Sequence, residues 1–219
     1  MPKRVDHHAR RTLIAGAMMR LAADRGLESV SLRHVAAEAG VSSGMVQHYF
    51  RTKDEMMAFA LDVVSQNVQA RLAATTDDLG ESPSPVALVR ALLVELLPFD
   101  EPRRAEGRAA LAFLAYAAVR PAVAAALRED TARLREFVAD RIRDAQAAGE
   151  APASLEPAHT ATALLALVEG LGVNVLGEHY SPDTALAVFD AHLSTLFGVG
   201  CVLDPGGVQI PGSSTHNCR

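Results

Sequence analysis

The chain has 219 residues, and nearly half of them are apolar, which is enough to bury a sizeable core in one medium domain or in a small domain joined to a larger one. Its two cysteines, Cys201 and Cys218, are too few for a disulfide framework and indicate a reducing cytoplasm. No apolar leader follows Met1, and no run of about 18 apolar residues lacks a polar interruption, so neither a signal peptide nor a membrane span is expected.

Charge is distributed unevenly along the chain. Residues 1–53 carry nine Lys or Arg and four Asp or Glu, a net charge of +5, whereas the whole chain has a net charge of -5. The remaining residues therefore carry -10. A basic segment is the electrostatic footprint of phosphate binding, so nucleic acid is expected at the N-terminal end and not on the acidic remainder.

Helical periodicity runs through the sequence, and no alternating strand pattern interrupts it. Apolar residues recur at positions 13, 14, 17, 18, 21 and 22, and Gly26 ends this first predicted helix. Ser31 is a good N-cap for a short helix over residues 32–39, and Ser42 caps another over residues 43–50. Three helices are thus predicted before residue 53.

The capping box from Thr52 to Glu55 starts a fourth predicted helix, which ends near residue 74. A linker over residues 75–85 follows. Further helix starts are predicted at Pro83 or Pro85, at Glu101, at Pro121, at Pro157 and after Ser181. The prediction is an all-α fold of about nine helices: a helix-turn-helix domain (1–53), a larger helical ligand-binding and dimerisation domain (54–199) and a flexible tail (200–219).

The stretch from Ser31 to Lys53 carries the functional signal. Two short helices joined by a tight turn around Gly40 predict a helix-turn-helix. Its inner face is formed by Val35, Ala36, Ala39, Val41 and Val46. Its second helix presents Ser43, Gly44, Met45, Gln47 and His48 outward. In such motifs the second helix lies in the major groove, where a glutamine matches the donor and acceptor of adenine.

Several of these residues also form a family pattern. Residues 23–33 (ADRGLESVSLR), Val35-Ala36, residues 39–42 (AGVS), Tyr49-Phe50 and residues 53–55 (KDE) together resemble the N-terminal signature of the TetR repressor family. The resemblance covers about residues 10–58. The family usually has Leu-Tyr where this chain has Val46-Gln47, at a position that often touches DNA.

The resemblance implies specific DNA contacts. Base-edge contacts are implied for Ser43, Gly44, Gln47 and His48. Contacts to the DNA backbone are implied for Ser31, Arg33, Ser42, Met45 (through its main chain), Tyr49, Thr52 and Lys53. The resemblance also implies dimerisation through a four-helix bundle of the last two helices, and an inducer bound inside the body.

The predicted helix over residues 157–176 is apolar on all sides and must be buried on more than one. With the last helix, it offers candidate dimer residues: Leu164, Val168, Leu171, Val175, Phe189, Leu193 and Leu196. The alternative is that these are core helices of a monomer. A two-fold dimer would set two recognition helices on successive major-groove faces of a pseudo-palindrome.

Candidate ligand-lining residues are Phe99, Phe113, Tyr116, Glu169 and Asn174. Glu169 and Asn174 interrupt an apolar helix, and a buried carboxylate needs a partner. The alternatives are hydrogen bonds across a dimer seam or to a loop for these two, and an ordinary core position for Phe113 and Tyr116.

The sequence thus predicts a ligand-responsive repressor that binds operator DNA as a homodimer and is released by a small-molecule inducer of unknown identity. No phosphate-binding loop, dinucleotide fingerprint or hydrolase motif is found, so no enzyme is predicted. The histidines lack ligand spacing, so no metal or cofactor is expected. The open alternatives are a helical protein-protein adaptor and a redox-sensing regulator that uses Cys201 and Cys218.

Overall fold

The computed structural model describes residues 2–78 and 83–198. These ranges contain nine α-helices, one 3-10 helix (Leu27–Ser29) and no strand, which confirms the all-helical prediction. The helices are α1 (Pro2–Arg25), α2 (Leu32–Glu38), α3 (Ser43–Tyr49), α4 (Lys53–Asp78), α5 (Pro85–Glu95), α6 (Glu101–Ala118), α7 (Pro121–Ala147), α8 (Pro157–Leu176) and α9 (Pro182–Phe197). The predicted tail, with Cys201 and Cys218, lies outside the described residues.

Capping side chains set where the short helices begin. Ser31 Oγ accepts from the main-chain N–H of His34 at 3.3 Å, and Ser42 Oγ accepts from that of Met45 at 3.1 Å. Ser181 Oγ does the same for Thr184 at 3.1 Å. Each cap satisfies an N–H that the helix itself leaves unpaired and contributes about 1 kcal/mol. The three predicted N-caps are confirmed.

The start of α4 differs in detail from the predicted capping box. The main-chain N–H of Glu55 donates to Thr52 Oγ1 at 3.0 Å, as expected. The Glu55 carboxylate accepts from the main-chain N–H of Arg51 at 2.9 Å, one residue before the predicted donor. The helix also continues through the first part of the predicted linker and ends at Asp78, since residues 75–78 keep the helical pattern without a proline or glycine.

One hydrophobic cluster holds the N-terminal end together. It joins α1, α2, α3 and the first turns of α4, with Met18, Phe50 and Met56 fully buried. Phe113 and Ala117 of α6 belong to the same cluster. Within this cluster α1 packs directly on α6, so a displacement of α6 disturbs the core of the DNA-binding end.

A second cluster is formed by α5, the C-terminal half of α7, α8 and α9. It contains six of the predicted dimer residues as buried side chains: Leu164, Val168, Leu171, Val175, Phe189 and Leu193. Leu196 is half-buried and packs against the same cluster. These six side chains therefore belong to the protomer core and not to a dimer surface, whereas the assignment of Leu196 stays a prediction. Both sides of α8 are apolar, and the larger side chains face the protomer interior because they bury more area there.

Packing also accounts for the apolarity of α8. It is the one described helix that is long and apolar enough to cross a membrane by length and composition. A core helix meets the same criterion. Leu164 and Val168 lie in the centre of the second cluster, which identifies α8 as a core helix of this fold.

A network of charged side chains ties α4 to the body. Glu95 of α5, only 6% exposed, accepts from Arg71 Nε of α4 at 2.9 Å and from Arg103 of α6 at 2.7 Å. Arg71 also donates to Glu106 of α6 at 2.9 Å. The buried carboxylate thus has partners from two helices, as a buried charge requires. The network fixes α4 relative to α5 and α6.

Candidate nucleic-acid interface

The turn between α2 and α3 is built on one glycine. Gly40 has a φ of +66°, in the left-handed region that costs residues with a Cβ about 1 kcal/mol or more. The turn closes with a hydrogen bond from the main-chain N–H of Val41 to the carbonyl of Ala36, at 2.9 Å. This short connection sets the angle at which α3 leaves α2.

The inner face of the motif is the predicted one. Val35, Ala36 and Val46 are buried, with at most 3% of their surface exposed. Ala39 and Val41 are half-buried and pack against the same N-terminal cluster. Since one side of α3 is fixed in this core, its opposite side must face outward.

The outward side of α3 carries the predicted base-reading residues. Ser43, Gly44, Met45, Gln47 and His48 are all exposed. A Cβ added at Gly44 would meet only Ser42 Oγ, at 4.0 Å, so the space in front of this glycine is open to an approaching surface. An exposed amide at Gln47 can donate and accept at once, as the edge of adenine requires.

Hydroxyl and cationic groups surround this face. Ser31, Ser42 and Thr52 are exposed, and each hydroxyl oxygen already accepts from a helix N–H. Their hydroxyl hydrogens remain able to donate, which suits phosphate oxygens. Arg33 and Arg51 are exposed beside them. Arg51 was not among the predicted contacts. Its position in the sequence, a cation between Phe50 at the end of α3 and Thr52, could have indicated a contact with the DNA backbone.

Tyr49 is half-buried and held by aromatic neighbours. Its ring lies 4.8 Å from that of His7 on α1 and 5.1 Å from that of His48, both edge-on. Such contacts favour one ring orientation. The N-terminal turns of α1 therefore help to position the end of α3, a role for His7 that sequence reasoning missed because the two residues are 42 positions apart.

Lys53 is placed differently from the expected phosphate contact. It is half-buried, and its ammonium donates to the main-chain carbonyl of Leu27. The same nitrogen lies 5.1 Å from the ring centre of Tyr116 on α6. Burial lowers the pKa of the Lys53 ammonium, with a smaller lowering from Arg120, while the carboxylates of Glu28 and Asp54 oppose it. In this structure Lys53 joins the DNA-binding end to the body.

Arg120 completes this junction. Its guanidinium lies 3.8 Å from the Tyr116 ring centre and donates to the Tyr116 carbonyl at 3.3 Å. It also pairs with Glu28 at 2.9 Å. We call the group of Glu28, Lys53, Tyr116 and Arg120 the junction cluster. The 3-10 helix contributes Glu28 to it, α4 contributes Lys53, and α6 and the turn after it contribute Tyr116 and Arg120.

The structure does not bring the five predicted ligand residues together. Tyr116 belongs to the junction cluster, and Phe113 is a fully buried member of the N-terminal hydrophobic cluster. Phe99 packs half-buried against the second cluster. The alternative of an ordinary core position was therefore the better one for Phe113.

Neither Glu169 nor Asn174 is buried in the protomer. Glu169 is exposed on the same side of α8 as Ala166 and Gly170, so it is not a buried carboxylate within the protomer, and a hydrogen bond across a dimer seam stays a prediction. Asn174 Nδ2 donates to the carbonyl of Gly170 one turn earlier, at 2.8 Å. The Asn174 amide is therefore satisfied within its own helix. Neither side chain lines the groove between α6 and α7.

The exposed sides of α8 and α9 carry small and apolar residues at helical spacing. On α8 they are Ala163, Ala166, Gly170 and Val173, and on α9 they are Ala187, Val188 and Ala191. Val173 and Val188 expose nearly half of their surface. We call this strip the outer α8–α9 face. It is the part of these two helices that the protomer core leaves uncovered.

Two family models match the chain. The model for bacterial regulatory proteins of the tetR family covers residues 13–58, and the model for the C-terminal part of BetI-type transcriptional repressors covers residues 85–198. The first match contains the whole helix-turn-helix. The second contains all helices from α5 to α9.

Curated relatives agree with these matches. The regulator PksA of Bacillus subtilis is 41% identical over 119 residues, which is 53% of this chain and 56% of that protein, so the chain matches just over half the length of this relative. The regulator BetI of Pseudomonas aeruginosa (strain LESB58) is 28% identical over 194 residues, which is 86% of this chain and 93% of that protein.

Solved structures show the same architecture. A transcriptional regulator from Rhodococcus sp. Rha1 is 34% identical with a TM-score of 0.72, over 86% of this chain and 96% of its own. A TetR-family regulator from Rhodococcus sp. is 26% identical with a TM-score of 0.78, over 87% and 99%. A regulator from Saccharomonospora viridis in complex with choline shares the fold at 24% identity and a TM-score of 0.71, over 85% and 96%. The chain therefore belongs to the TetR family of DNA-binding transcriptional regulators, which are not enzymes.

Proposed function

We propose that this chain is a ligand-responsive repressor that binds a pseudo-palindromic operator as a homodimer and leaves it when a small molecule binds to the C-terminal domain. The observation that carries the proposal is the exposed outer side of α3, where Gln47 and His48 stand on a helix whose other side is fixed in the core. As a regulator of chromosomal genes, it would act in the cytoplasm. The domain limits remain as predicted, with DNA binding in residues 1–53 and dimerisation and sensing in residues 54–199.

The proposed contacts divide into two kinds. Ser43, Gly44, Gln47 and His48 read base edges from the major groove, while Met45 contributes through its main chain. A second set holds the DNA backbone and fixes the register: Ser31, Arg33, Ser42, Tyr49 and Thr52, to which the structure adds Arg51. We assign the Lys53 ammonium to contacts within the junction cluster and not to a contact with a DNA phosphate.

We further propose that the outer α8–α9 face forms the dimer. Its alanines and Gly170 allow close approach of a second copy, while Val173 and Val188 add apolar area. A two-fold axis through this face would present two copies of α3 about 34–36 Å apart, one turn of DNA. This face takes the place of the six predicted dimer residues that are buried in the protomer core.

Two findings support a ligand response. The C-terminal match is to BetI-type repressors, and one regulator of the same fold was crystallised with choline. In addition, α6 contributes to the N-terminal hydrophobic cluster and to the junction cluster. A ligand that prefers one position of α6 would shift the population of DNA-binding conformations.

The test is a gel shift with the DNA upstream of the chain's own gene, repeated at several salt concentrations, with unrelated DNA as the comparison. A repressor of this kind binds the upstream fragment more tightly and loses affinity steeply as salt rises. Equal, weak binding to both fragments at low salt would overturn the proposal and favour an adaptor without DNA recognition. A reporter gene under the same upstream region distinguishes repression from activation.

A further inference from the structure

An open groove of about 540 Å³ runs between the C-terminal half of α6 and the N-terminal half of α7. Leu114, Ala117 and Ala118 line it from α6, and Leu127 lines it from α7. Leu114 is 60% exposed and borders the alanines of the groove. The floor of the groove therefore offers apolar surface to whatever occupies it.

The rim of the groove on α7 is cationic. Arg128, Thr131 and Arg135 line it at positions i, i+3 and i+7, which places them on one side of the helix. The two arginines are seven residues apart, so their helix positions are separated by about 10 Å. The threonine hydroxyl between them can donate or accept a hydrogen bond.

These two arginines differ from their neighbours on α7. Within residues 2–78 and 83–198, neither Arg128 nor Arg135 has an ion pair or a side-chain hydrogen bond. In contrast, Arg133 pairs with Glu129 at 3.0 Å, and Arg143 pairs with Glu136 at 3.0 Å. No carboxylate is among the described residues that line the groove. Its positive charge is therefore not neutralised by its own walls.

We infer that this groove binds an amphipathic carboxylate, a ligand with an apolar body and an anionic head. The body would lie on Leu114 and Leu127, and the head would be held by Arg128 or Arg135, whose planar guanidinium matches a carboxylate in two hydrogen bonds. A quaternary ammonium would need aromatic faces or carboxylates around it, and the described residues of the lining include neither. The inference rests on the proposed function, since it names the class of ligand to which the regulator responds.

The groove shares residues with the DNA-binding end. Ala117 lines the groove and is also a buried member of the N-terminal hydrophobic cluster. The preceding residue, Tyr116, contacts Lys53 in the junction cluster. A ligand that presses on this part of α6 therefore acts on the packing of the helix-turn-helix and on the residue that begins α4.

Calorimetric titration of the full chain tests the ligand class with three probes of equal chain length: decanoate, decanol and decyltrimethylammonium. The two ionic probes are used below their micellar concentrations and decanol below its solubility limit. Decanoate is expected to bind at least about tenfold more tightly than either of the others, the advantage of one charge-assisted hydrogen-bonded pair. Equal affinity for the three probes, or a preference for the cation, would overturn the inference.

Two variants locate the binding. The double substitution Arg128→Gln and Arg135→Gln is expected to weaken decanoate binding by about tenfold or more and to leave decanol binding unchanged. Arg133→Gln is the matched control, because it removes an arginine from the same helix outside the groove. Circular dichroism confirms that each variant is folded. If the control and the double variant lose the same affinity, the groove is not the site.

The same proteins separate this inference from the proposed function. Gel shifts with the upstream DNA measure operator binding without any ligand. A chain that binds its operator but not decanoate overturns the groove inference and leaves the regulator in place. A chain that binds decanoate through the two arginines but recognises no operator overturns the regulator and leaves the groove as a carboxylate site.

Discussion

The ammonium of Lys53 lies 5.1 Å from the ring centre of Tyr116, so the first residue of α4 is joined to α6 across the boundary between the DNA-binding end and the body. The same ammonium is bound to the Leu27 carbonyl just before α2. Three segments that are distant in sequence therefore meet at one side chain, and a change in the position of α6 reaches the first residue of α4 by a direct contact.

A double-mutant cycle measures this contact. Lys53→Met and Tyr116→Leu, alone and together, should show a coupling of about 0.5–1 kcal/mol in the free energy of unfolding by urea at fixed protein concentration. The cost of leaving the Leu27 carbonyl unpaired appears in both Lys53 variants and cancels. The control cycle pairs Lys53→Met with Tyr180→Leu, an exposed tyrosine beyond α8, and should be additive. Additivity in both cycles would show that the Lys53–Tyr116 contact does not stabilise the fold.

The base-reading role of Gln47 predicts a loss confined to one base step. Gln47→Ala should cost about 1–3 kcal/mol on the operator and relax the preference at that step, with little change on unrelated DNA. Fluorescence anisotropy with single-base operator variants measures this. Gln69→Ala, an exposed glutamine on α4 away from α3, is the control and should bind as the wild type does. Equal losses on the operator and on unrelated DNA would assign Gln47 to the backbone.

The outer α8–α9 face predicts which substitution separates the protomers. Ala166→Arg places a charged side chain on this exposed face and should convert a dimer to a folded monomer in sedimentation experiments. Ala147→Arg, on the exposed end of α7, should leave the dimer intact. Leu164→Ala acts differently, because Leu164 is fully buried in the protomer and its truncation should lower the free energy of unfolding by about 2–5 kcal/mol. A dimer that survives Ala166→Arg would place the interface elsewhere.

The charged network around Glu95 predicts a large effect from a small change. Glu95→Gln should destabilise the protein by about 3 kcal/mol, because two partly buried guanidinium groups lose their shared carboxylate. Glu101→Gln, which breaks an exposed pair with Arg108, should cost less than about 1 kcal/mol. Urea unfolding compares the two. Equal effects would mean that the network is hydrated in solution and contributes no more than a surface ion pair.

The first turn of α8 predicts a response to acid. The Glu156 carboxylate accepts from the main-chain N–H groups of His159 at 2.6 Å and Ala158 at 3.2 Å, and these hydrogen bonds lower its pKa below the ordinary value of 4.5. The ionised Glu156 carboxylate therefore stabilises the folded state above pH 4.5, and this contribution is lost as the pH falls through the lowered pKa. Wild type should lose more stability in this range than Glu156→Gln does. Glu178→Gln is the control, because Glu178 does not lie at the start of a helix. Parallel curves of unfolding free energy against pH for Glu156→Gln and wild type would contradict the prediction.

Local chemistry explains what could be predicted from the sequence. The hydroxyls of Ser31, Ser42 and Ser181 each meet a main-chain N–H three residues later, so the starts of α2, α3 and α9 follow from a few neighbouring residues. The buried face of the helix-turn-helix follows equally from spacing, since Val35 and Val46 lie where helical periodicity places them. The exposed face of α3 is then determined as well.

Tertiary structure decided everything that depends on a choice between two apolar faces or on contacts far apart in sequence. Periodicity shows that α8 is apolar all round, but only packing against α5, α7 and α9 decides that Leu164 faces inward and Ala166 outward. The place of Lys53 depends on Leu27 and on Tyr116, which lies 63 residues away. The groove depends on how α6 and α7 pack, which places Arg128 and Arg135 beside an apolar floor. Burial and pairing of this kind depend on neighbours in space, and the local pattern of the sequence does not show which residues those neighbours are.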